Sequence, residues 1–324
     1  MTLPTIARYA DSLRYDRERG VLLALDWAAY PDTRWAELGD AEAVARAIGS
    51  SAAAGWPAPY LAGYGLALAA RAWAGRPSDA RRGMLIQAGE WLRRARPADR
   101  RLSAMVEQGL ARADAALLAG ADGEAAALSF VADAIGRADR VAERCGRIAA
   151  GLLDDGDRLL TYGFAGPALA WMLFHARERE GKRLQLYITH HAADATRDQL
   201  VARLASEIGV PVTMPDDLPN EQFSLLVCGA ERIAIDGGVA GEPGLAPALD
   251  LARSRGIPRY VLGYDGPDPA APSGADLAAG QSDLVAPELI SAIVTSRGIY
   301  RPEMIARHLG DGDAPLDVIS LSPS

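Results

Sequence analysis

The sequence predicts an α/β protein in which an N-terminal helical domain is followed by a Rossmann-like, doubly wound parallel sheet. From about Ala41 to Ala150, apolar residues recur at three- and four-residue spacing, which is typical of amphipathic helices. From Asp157 onward, short β-prone runs alternate with helical stretches, which favours βαβ crossovers and a parallel sheet. We therefore place a mainly helical domain at residues 1–125 and the α/β domain at residues 126–324.

The first domain begins with a short β-like segment, Val21–Asp26, and continues as a helical bundle. Its helical pattern is clearest in four segments: Ala41–Ile48, Leu61–Trp73, Met84–Arg94 and Ala125–Leu153. Breaks that contain Gly or Pro separate these segments, because both residues end helices.

The second domain alternates strands and helices. Its predicted strands are Leu159–Tyr162, Leu184–Thr189, Val210–Met214, Leu225–Cys228, Tyr260–Leu262 and Leu284–Val285. Its predicted helices are Pro167–Arg179, Asp198–Ile208, Pro247–Arg255 and Pro287–Thr295. The segment Pro267–Gly280 has neither period and is predicted to be a surface loop, and Gly310–Ser324 is predicted to extend beyond the core.

Composition excludes several classes of protein. The net charge of −8, without a basic run that alternates with aromatic residues, argues against a nucleic-acid partner. The sequence lacks both a long apolar run and a signal-peptide core, so we expect no membrane association and a cytoplasmic location. Two cysteines, Cys145 and Cys228, and four histidines show no metal-ligand spacing, so we expect neither a metal nor a cofactor.

Two glycine-rich stretches, Gly156–Gly166 and Cys228–Gly244, are predicted to form the ligand site. Each runs from a β-prone segment into glycines and then into a helical pattern. Because the carboxyl ends of parallel strands share one edge of a sheet, we expect both loops at that edge, where open α/β sheets bind ligands. The predicted partner is a small molecule.

Both stretches also carry a family resemblance. Gly156–Gly166 (GDRLLTYGFAG) resembles GDxILTHCNAG, and Gly229–Gly238 (GAERIAIDGG) resembles GADRIAANGD. Val285–Pro302 resembles VTPxELIxxIITExGVxRP, Ala54–Pro57 (AGWP) resembles RGAP, and Arg96-Pro97 stands where RPT is found. These patterns are those of methylthioribose-1-phosphate isomerases, ribose-1,5-bisphosphate isomerases and the regulatory subunits of initiation factor 2B.

The resemblance implies a homodimer that binds a sugar phosphate or a nucleoside-like compound. It also implies a set of substrate-binding positions: Gly55, Arg96, Gly163, Phe164, Ala165, Gly166, Gly237 and Gly238. Trp56 and Phe164 add aromatic surface to these loops, which favours an apolar or planar substituent on the ligand.

The chain departs from the family at the residues that carry the chemistry. Family isomerases use the cysteine of HCNAG and the aspartate that closes GADRIAANGD, and here those positions hold Gly163 and Gly238. Ala54 replaces the arginine of RGAP, and Gly241-Glu242 replaces an Asn-Lys pair. Losing a general acid or base costs about 10²–10⁴-fold in rate, so the ordinary mechanism requires replacement groups.

Four side chains are candidates for replacement catalytic groups: Asp236, Glu242, Tyr162 and His190. For each a structural role stays open, since Asp236 is also a typical turn residue and His190 also fits a solvated loop. Catalysis by Cys228 is left open, but it lies one strand end away from the lost cysteine and is no obvious substitute, since a buried cysteine usually fills a core. Glu231 with Arg232 fits a scaffold better than a catalyst.

Glu242 reverses the charge beside the expected phosphate. One such contact at 4 Å corresponds to about 4 kcal/mol at an effective dielectric constant near 20. Either the phosphate is held elsewhere, by Arg96 and the amides that begin the helix Pro167–Arg179, or the ligand is neutral or cationic. A solvated loop position for Glu242 is the remaining alternative, and Arg96 equally fits a surface residue at a helix end.

Three functions fit this pattern. The first is a diverged isomerase with altered catalytic groups, which the preserved glycine framework favours. The second is a non-catalytic ligand-binding or regulatory protein, which the loss of both catalytic side chains favours. The third is unaltered methylthioribose-1-phosphate isomerisation.

Overall fold

The computed structural model describes residues 3–50, 57–97, 99–189, 195–215, 219, 222–264, 266–277 and 282–310. The chain forms two compact units. One unit is Arg8–Asp139, and the other comprises the described residues of Met1–Ala7 and Arg140–Ser324. The chain passes from the first to the second within helix α6, and a domain boundary at residue 125 stays a prediction.

In its described residues, the first unit combines a small sheet with five helices and the first half of α6. Its elements are α1 Tyr9–Ser12, β1 Leu13–Asp16, β2 Val21–Leu25, β3 Trp35–Leu38, α2 Ala41–Gly49, α3 Ala58–Ala72, α4 Ser78–Ala95, α5 Arg100–Leu118 and α6 Gly123–Ala150. The strands form an antiparallel sheet in the order β1-β2-β3. The predicted β-like segment is therefore the central strand of a sheet whose edge strands the sequence analysis missed, because four-residue edge strands carry little periodic signal.

Helix α3 is the centre of this unit. Eleven of its 15 residues are buried, and small residues let its neighbours approach closely. A Cβ built on Gly63 would overlap the side chain of Val131 from α6, and one on Gly65 would lie 3.0 Å from Leu92 of α4. Gly63 and Gly65 thus serve helix packing in this unit.

The second unit contains the predicted α/β fold. Its elements are β4 Arg158–Tyr162, α7 Pro167–Phe174, β5 Gln185–Thr189, α8 Ala195–Glu207, β6 Val212–Thr213, β7 Leu225–Gly229, β8 Arg232–Ile233, β9 Val239–Gly241, α9 Leu245–Ser254, β10 Arg259–Tyr264, β11 Asp283–Val285, β12 Ala292–Thr295, β13 Ile299–Tyr300 and α10 Arg307–Gly310. After α7 the chain continues as one wider turn of π-helix, His175–Arg179.

The main sheet has the strand order β13-β12-β10-β7-β4-β5-β6 and is parallel except for β13. Strand β4 lies between β5 and β7, so the chain builds one side of the sheet first and then returns to build the other. This reversal beside β4 is the switch point at which doubly wound sheets bind ligands. The predicted fold class is confirmed.

A second, three-stranded sheet of order β11-β9-β8 follows β7. It covers a small apolar cluster of Ala234, Ala240, Ala271 and Leu277. The prediction of a surface loop at Pro267–Gly280 is therefore wrong for Ala271 and Leu277, which are buried. Their alanine and leucine side chains fill this cluster, although the Pro and Gly around them prevent a regular period.

The predicted helix Pro287–Thr295 is also wrong. Only Pro287–Leu289 forms a 3₁₀ turn, and Ala292–Thr295 is strand β12, buried along its whole length. A short apolar run of this kind has no period that separates a helix from a fully buried strand. Its neighbour β10 decides the outcome, because parallel pairing with β10 satisfies the backbone of β12.

None of the helices in the described part of the chain is long and apolar enough to cross a membrane.

Candidate functional site

The loops that follow β4 and β7 lie side by side at the carboxyl edge of the main sheet. Tyr162 at the end of β4 pairs in register with Cys228 of β7. Beyond them, a Cβ built on Gly229 would lie 2.9 Å from the Cα of Ala165, so only glycine lets the two loops pack this closely. The structure thus brings together the two predicted ligand loops at the switch point.

Gly163 and Glu242 form the centre of this site. Gly163 is buried and has a φ of +63°, a conformation that favours glycine. A Cβ built on Gly163 would lie 2.8 Å from Cδ of Glu242 and closer still to Oε2. The Glu242 carboxylate therefore fills the space that any side chain at position 163 would need.

Glu242 is held by an arginine that the sequence analysis missed. Nη1 of Arg197 lies 2.6 Å from Oε1 of Glu242, and the two side chains are 27% and 18% exposed. This contradicts the solvated loop position that was left open as the alternative for Glu242. Arg197 lies in the first turn of α8, just beyond β5, and its position after a strand of the parallel sheet was the available signal.

Tyr162 contributes a neutral phenol. Its hydroxyl donates to the carbonyl oxygen of Pro243 at 2.5 Å. Burial raises the pKa of Tyr162 to about 12, and the negative charges of Glu242, Asp283 and Asp198 add to the shift. At neutral pH Tyr162 is therefore a hydrogen-bond donor that ties the β4 loop to the loop after β9.

Two further carboxylates, also missed from the sequence, lie near Tyr162. Asp198 in α8 is fully buried. Asp283 of β11 accepts hydrogen bonds from the backbone of Gly244 at 2.8 Å and Ala246 at 3.3 Å, and so caps the start of α9. The site is consequently rich in acidic groups, and Arg197 supplies a compensating positive charge.

Cys228 is a thiol with no access to solvent. Burial raises its pKa to about 12, and the charge of Glu242 contributes to the shift. A cysteine of this kind is a poor nucleophile, because the reactive form is the thiolate. Its complete burial fits the alternative that Cys228 fills the core of the protein.

Tyr264 clamps the start of α7. Its hydroxyl donates to the carbonyl oxygen of Ala165 at 2.5 Å and accepts from the amide of Ala168 at 3.1 Å. Pro167 has no amide hydrogen, and the amide of Leu169 donates to Gly166 at 3.1 Å. The first amides of α7 are therefore engaged inside the protein, which contradicts the expectation that they bind a phosphate.

Asp236 is exposed and lies in the turn between β8 and β9. Its carboxylate accepts from the amide of Gly238 at 2.9 Å and from that of Gly274 at 3.0 Å. Asp236 and Glu242 flank opposite ends of β9. These contacts fit the turn-forming alternative for Asp236, and its catalytic role stays a prediction.

The glycines beside Asp236 are closely packed. Gly237 has a φ of +89°, and a Cβ on it would overlap the backbone of Pro302. A Cβ on Gly238, where family isomerases have aspartate, would lie 2.9 Å from the Cα of Gly274. The segment that contains Gly274 therefore takes the place of a side chain at position 238.

The remaining predicted residues belong to the other unit or lie outside the described part of the chain. Arg96 belongs to the unit Arg8–Asp139, where its Nε donates to the carbonyl oxygen of Ile48 at 2.8 Å. Its role in substrate binding stays a prediction. Gly55 and His190 lie outside the described residues. Among the residues that the structure describes, no group of three His, Cys, Asp or Glu side chains is placed to hold a metal ion.

The chain is similar to known sequences over most of its length. The profile of the initiation factor 2 subunit family matches residues 61–263. A methylthioribose-1-phosphate isomerase of Anaeromyxobacter sp. (strain K) is 32% identical, over 89% of this chain and 93% of its own length. One from Syntrophotalea carbinolica is 28% identical, over 88% and 95%.

Solved structures show the same fold. The delta subunit of translation initiation factor eIF-2B from A. fulgidus has a TM-score of 0.71 at 20% identity, covering 93% of this chain and 99% of its own. The 5-methylthioribose 1-phosphate isomerase from Pyrococcus horikoshii OT3 also has a TM-score of 0.71 at 20% identity, covering 92% and 94%.

Proposed function

The chain belongs to the initiation factor 2 subunit family, and from this premise we propose that it is a diverged aldose–ketose isomerase in which Glu242 is the catalytic acid–base group. Its proposed substrate is a phosphorylated pentose or a phosphorylated nucleoside-like compound. The curated relatives named above are methylthioribose-1-phosphate isomerases and align over most of the chain. They support this class of reaction, while the catalytic group is inferred from the site.

The overlap of Glu242 with the side-chain space of Gly163 carries the proposal. According to the resemblance, Gly163 stands where isomerases have a catalytic cysteine. The carboxylate that fills this space comes from a different loop, and it belongs to a residue that replaces a lysine. An ionisable side chain is therefore present at the same place in the site, although it is attached to a different position in the chain.

The proposed chemistry moves hydrogen from C2 to C1 of a sugar whose C1 oxygen carries the phosphate throughout. The bond between C1 and the ring oxygen breaks, the ring oxygen takes a proton from water, and C1 is left double-bonded to its phosphate-bearing oxygen. Glu242 takes the proton from C2, and the C–H electron pair forms the C1–C2 double bond of an enediol that carries the phosphate on C1, while the C1–oxygen double bond returns to a single bond. The C2 hydroxyl then loses its proton to water and becomes a carbonyl, and the carboxyl group of Glu242, after exchange of its proton with solvent, delivers a proton to C1. A single carboxylate suits this route, because it acts first as base and then as acid.

Tyr162, Arg197 and Phe164 support Glu242 in this scheme. Before substrate binds, Arg197 holds the carboxylate through their 2.6 Å contact. Tyr162 holds the loop that carries Glu242 by donating to Pro243. Phe164 is half-buried in the β4 loop, beside Gly163, where its ring would border an apolar part of the substrate.

A proton NMR time course in deuterated buffer tests the proposal. The purified protein is incubated in turn with methylthioribose 1-phosphate and with ribose 1,5-bisphosphate, and the anomeric signal is followed. Conversion to a ketose with deuterium at C1 is the expected result. Conversion without deuterium would replace the enediol by a hydride transfer and remove the acid–base role of Glu242.

The variant Glu242→Gln keeps the size of the side chain and removes its charge. We expect it to lower turnover by about 100-fold or more, as for other general bases. Asp155→Asn is the matched control, since it removes one carboxylate from an exposed pair with Arg183. Equal turnover in the wild type and Glu242→Gln would refute the assignment.

A non-catalytic ligand-binding or regulatory protein is the second candidate, favoured by glycine at both positions where family isomerases carry catalytic side chains. It predicts a ligand-dependent rise in melting temperature without product. Absence of conversion of both sugar phosphates together with such a rise would favour it. The homodimer that the resemblance implies stays a prediction, which light scattering tests directly.

A further inference from the structure

The Arg197–Glu242 ion pair lies across the switch point of the sheet. Arg197 follows β5 on one side of β4, and Glu242 follows β9, which the chain reaches after β7 on the other side. Both side chains are mostly buried, at 27% and 18% exposure. Removing two charges from water is costly, so each needs a close partner of opposite sign.

The charges around the pair are acidic. Glu242, Asp283 and Asp198 all act on Tyr162 with negative charge. Asp283 is engaged by the amides of Gly244 and Ala246. Among the described residues of this cluster, Arg197 is therefore the group that attracts an anion, and its guanidinium presents a planar set of donors that fits a phosphate.

We propose that Arg197 binds the phosphate of the substrate and that Glu242 is the resting counter-ion which the phosphate displaces. This inference rests on the proposed function for the identity of the substrate. It explains how a chain with glutamate at a lysine position of the family still accepts an anion. The repulsion expected from Glu242 is offset in the resting protein, because the carboxylate is paired.

The exchange also prepares the proposed base. While Glu242 is paired with Arg197, its carboxylate is held by a strong charge-assisted contact. When a phosphate takes the guanidinium, the carboxylate is released beside Gly163, at the centre of the two ligand loops. An anion on the substrate thus becomes a requirement for turnover, in addition to a source of affinity.

In this proposal the Glu242 carboxylate and a phosphate compete for the guanidinium of Arg197, so each weakens the binding of the other. Removal of the Glu242 charge strengthens phosphate binding, and removal of Arg197 abolishes it. Inorganic phosphate is the probe, and its dissociation constant is measured by isothermal titration calorimetry on the full chain. We expect Glu242→Gln to bind phosphate about tenfold more tightly than the wild type. We expect Arg197→Gln to show no saturable binding.

A matched pair of variants controls for charge. Asp155→Asn removes one negative charge and Arg183→Gln removes one positive charge from an exposed ion pair in the same unit. Both should bind phosphate as the wild type does. If Arg197→Gln fails to fold, the double variant Arg197→Gln/Glu242→Gln leaves no charge of the pair behind, and it should also fail to bind phosphate.

Phosphate binding by either Arg197 variant with wild-type affinity, or unchanged affinity in Glu242→Gln, overturns the inference. Because the probe undergoes no reaction, this result is separate from the test of isomerisation. If the protein turns over a sugar phosphate and Arg197→Gln binds phosphate as the wild type does, the proposed isomerase function holds and the proposed role of Arg197 is wrong. If the variants bind phosphate as expected but no sugar phosphate is turned over, the proposed isomerase function is wrong and Arg197 is still an anion-binding residue.

Discussion

The carboxylate of Glu242 fills the volume that a Cβ on Gly163 would occupy. The two positions belong to different loops, after β9 and after β4, so their identities are coupled only through the folded structure. In this chain the space between the two loops is filled by the side chain at position 242, and position 163 is glycine.

The first prediction follows from that overlap. Gly163→Ala should lower the free energy of unfolding by roughly 2–4 kcal/mol, from left-handed strain and overpacking together. Urea unfolding measures this loss. In a Glu242→Ala background the loss should shrink, because the space is vacated, whereas in a Glu242→Gln background of equal volume it should persist. Equal losses in all three backgrounds would show that the overlap contributes nothing.

Tyr162 should make stability depend on alkaline pH. Its pKa is about 12 in the folded protein and 10.0 as an ordinary tyrosine, so the raised value favours folding below pH 10. That contribution is lost as pH rises from about 10 through about 12, when the phenol ionises. Tyr162→Phe removes the ionisation, so the gap in unfolding free energy between wild type and variant should narrow by about 2 kcal/mol over this range. A gap that stays constant from pH 9 to pH 12 would contradict the assignment.

Cys228 should be chemically inert in the native protein. With a pKa of about 12 and no exposure, it should not react with iodoacetamide at pH 8, whereas in urea it should react fully. Peptide mass spectrometry distinguishes it from Cys145, which is also buried. Rapid modification of native Cys228 with loss of turnover would restore it as a catalytic candidate.

Tyr264 should control the order of the β4 loop. Tyr264→Phe removes the hydroxyl that joins the carbonyl of Ala165 to the amide of Ala168, at a cost of about 1–3 kcal/mol for the polar groups left behind. Hydrogen exchange should accelerate at the Ala168 amide. The amide of Leu226, bonded to Pro258 away from this loop, is the internal control. Equal acceleration at both amides would indicate general destabilisation instead.

Sequence alone determined the class of the fold and the edge of the sheet on which the site lies. Alternation of β-prone and helical segments specifies parallel crossovers, and parallel strands bring their carboxyl ends to one edge. The assignment of Tyr162, Gly163 and Glu242 to this edge therefore needs only the order of segments along the chain. The helix predicted at Pro287–Thr295 failed because a local period carries no information about the neighbouring strand that pairs with it.

Only the tertiary structure decided which of these residues touch. The contact of Glu242 with Gly163, its ion pair with Arg197 and the clamp of Tyr264 on Ala165 each join segments that are far apart in the chain. Strand order and the insertion of β8 and β9 set these contacts, and neither is encoded in the period or composition of any one segment. Local patterns specify what each segment becomes, whereas packing between distant segments specifies which side chains share a site.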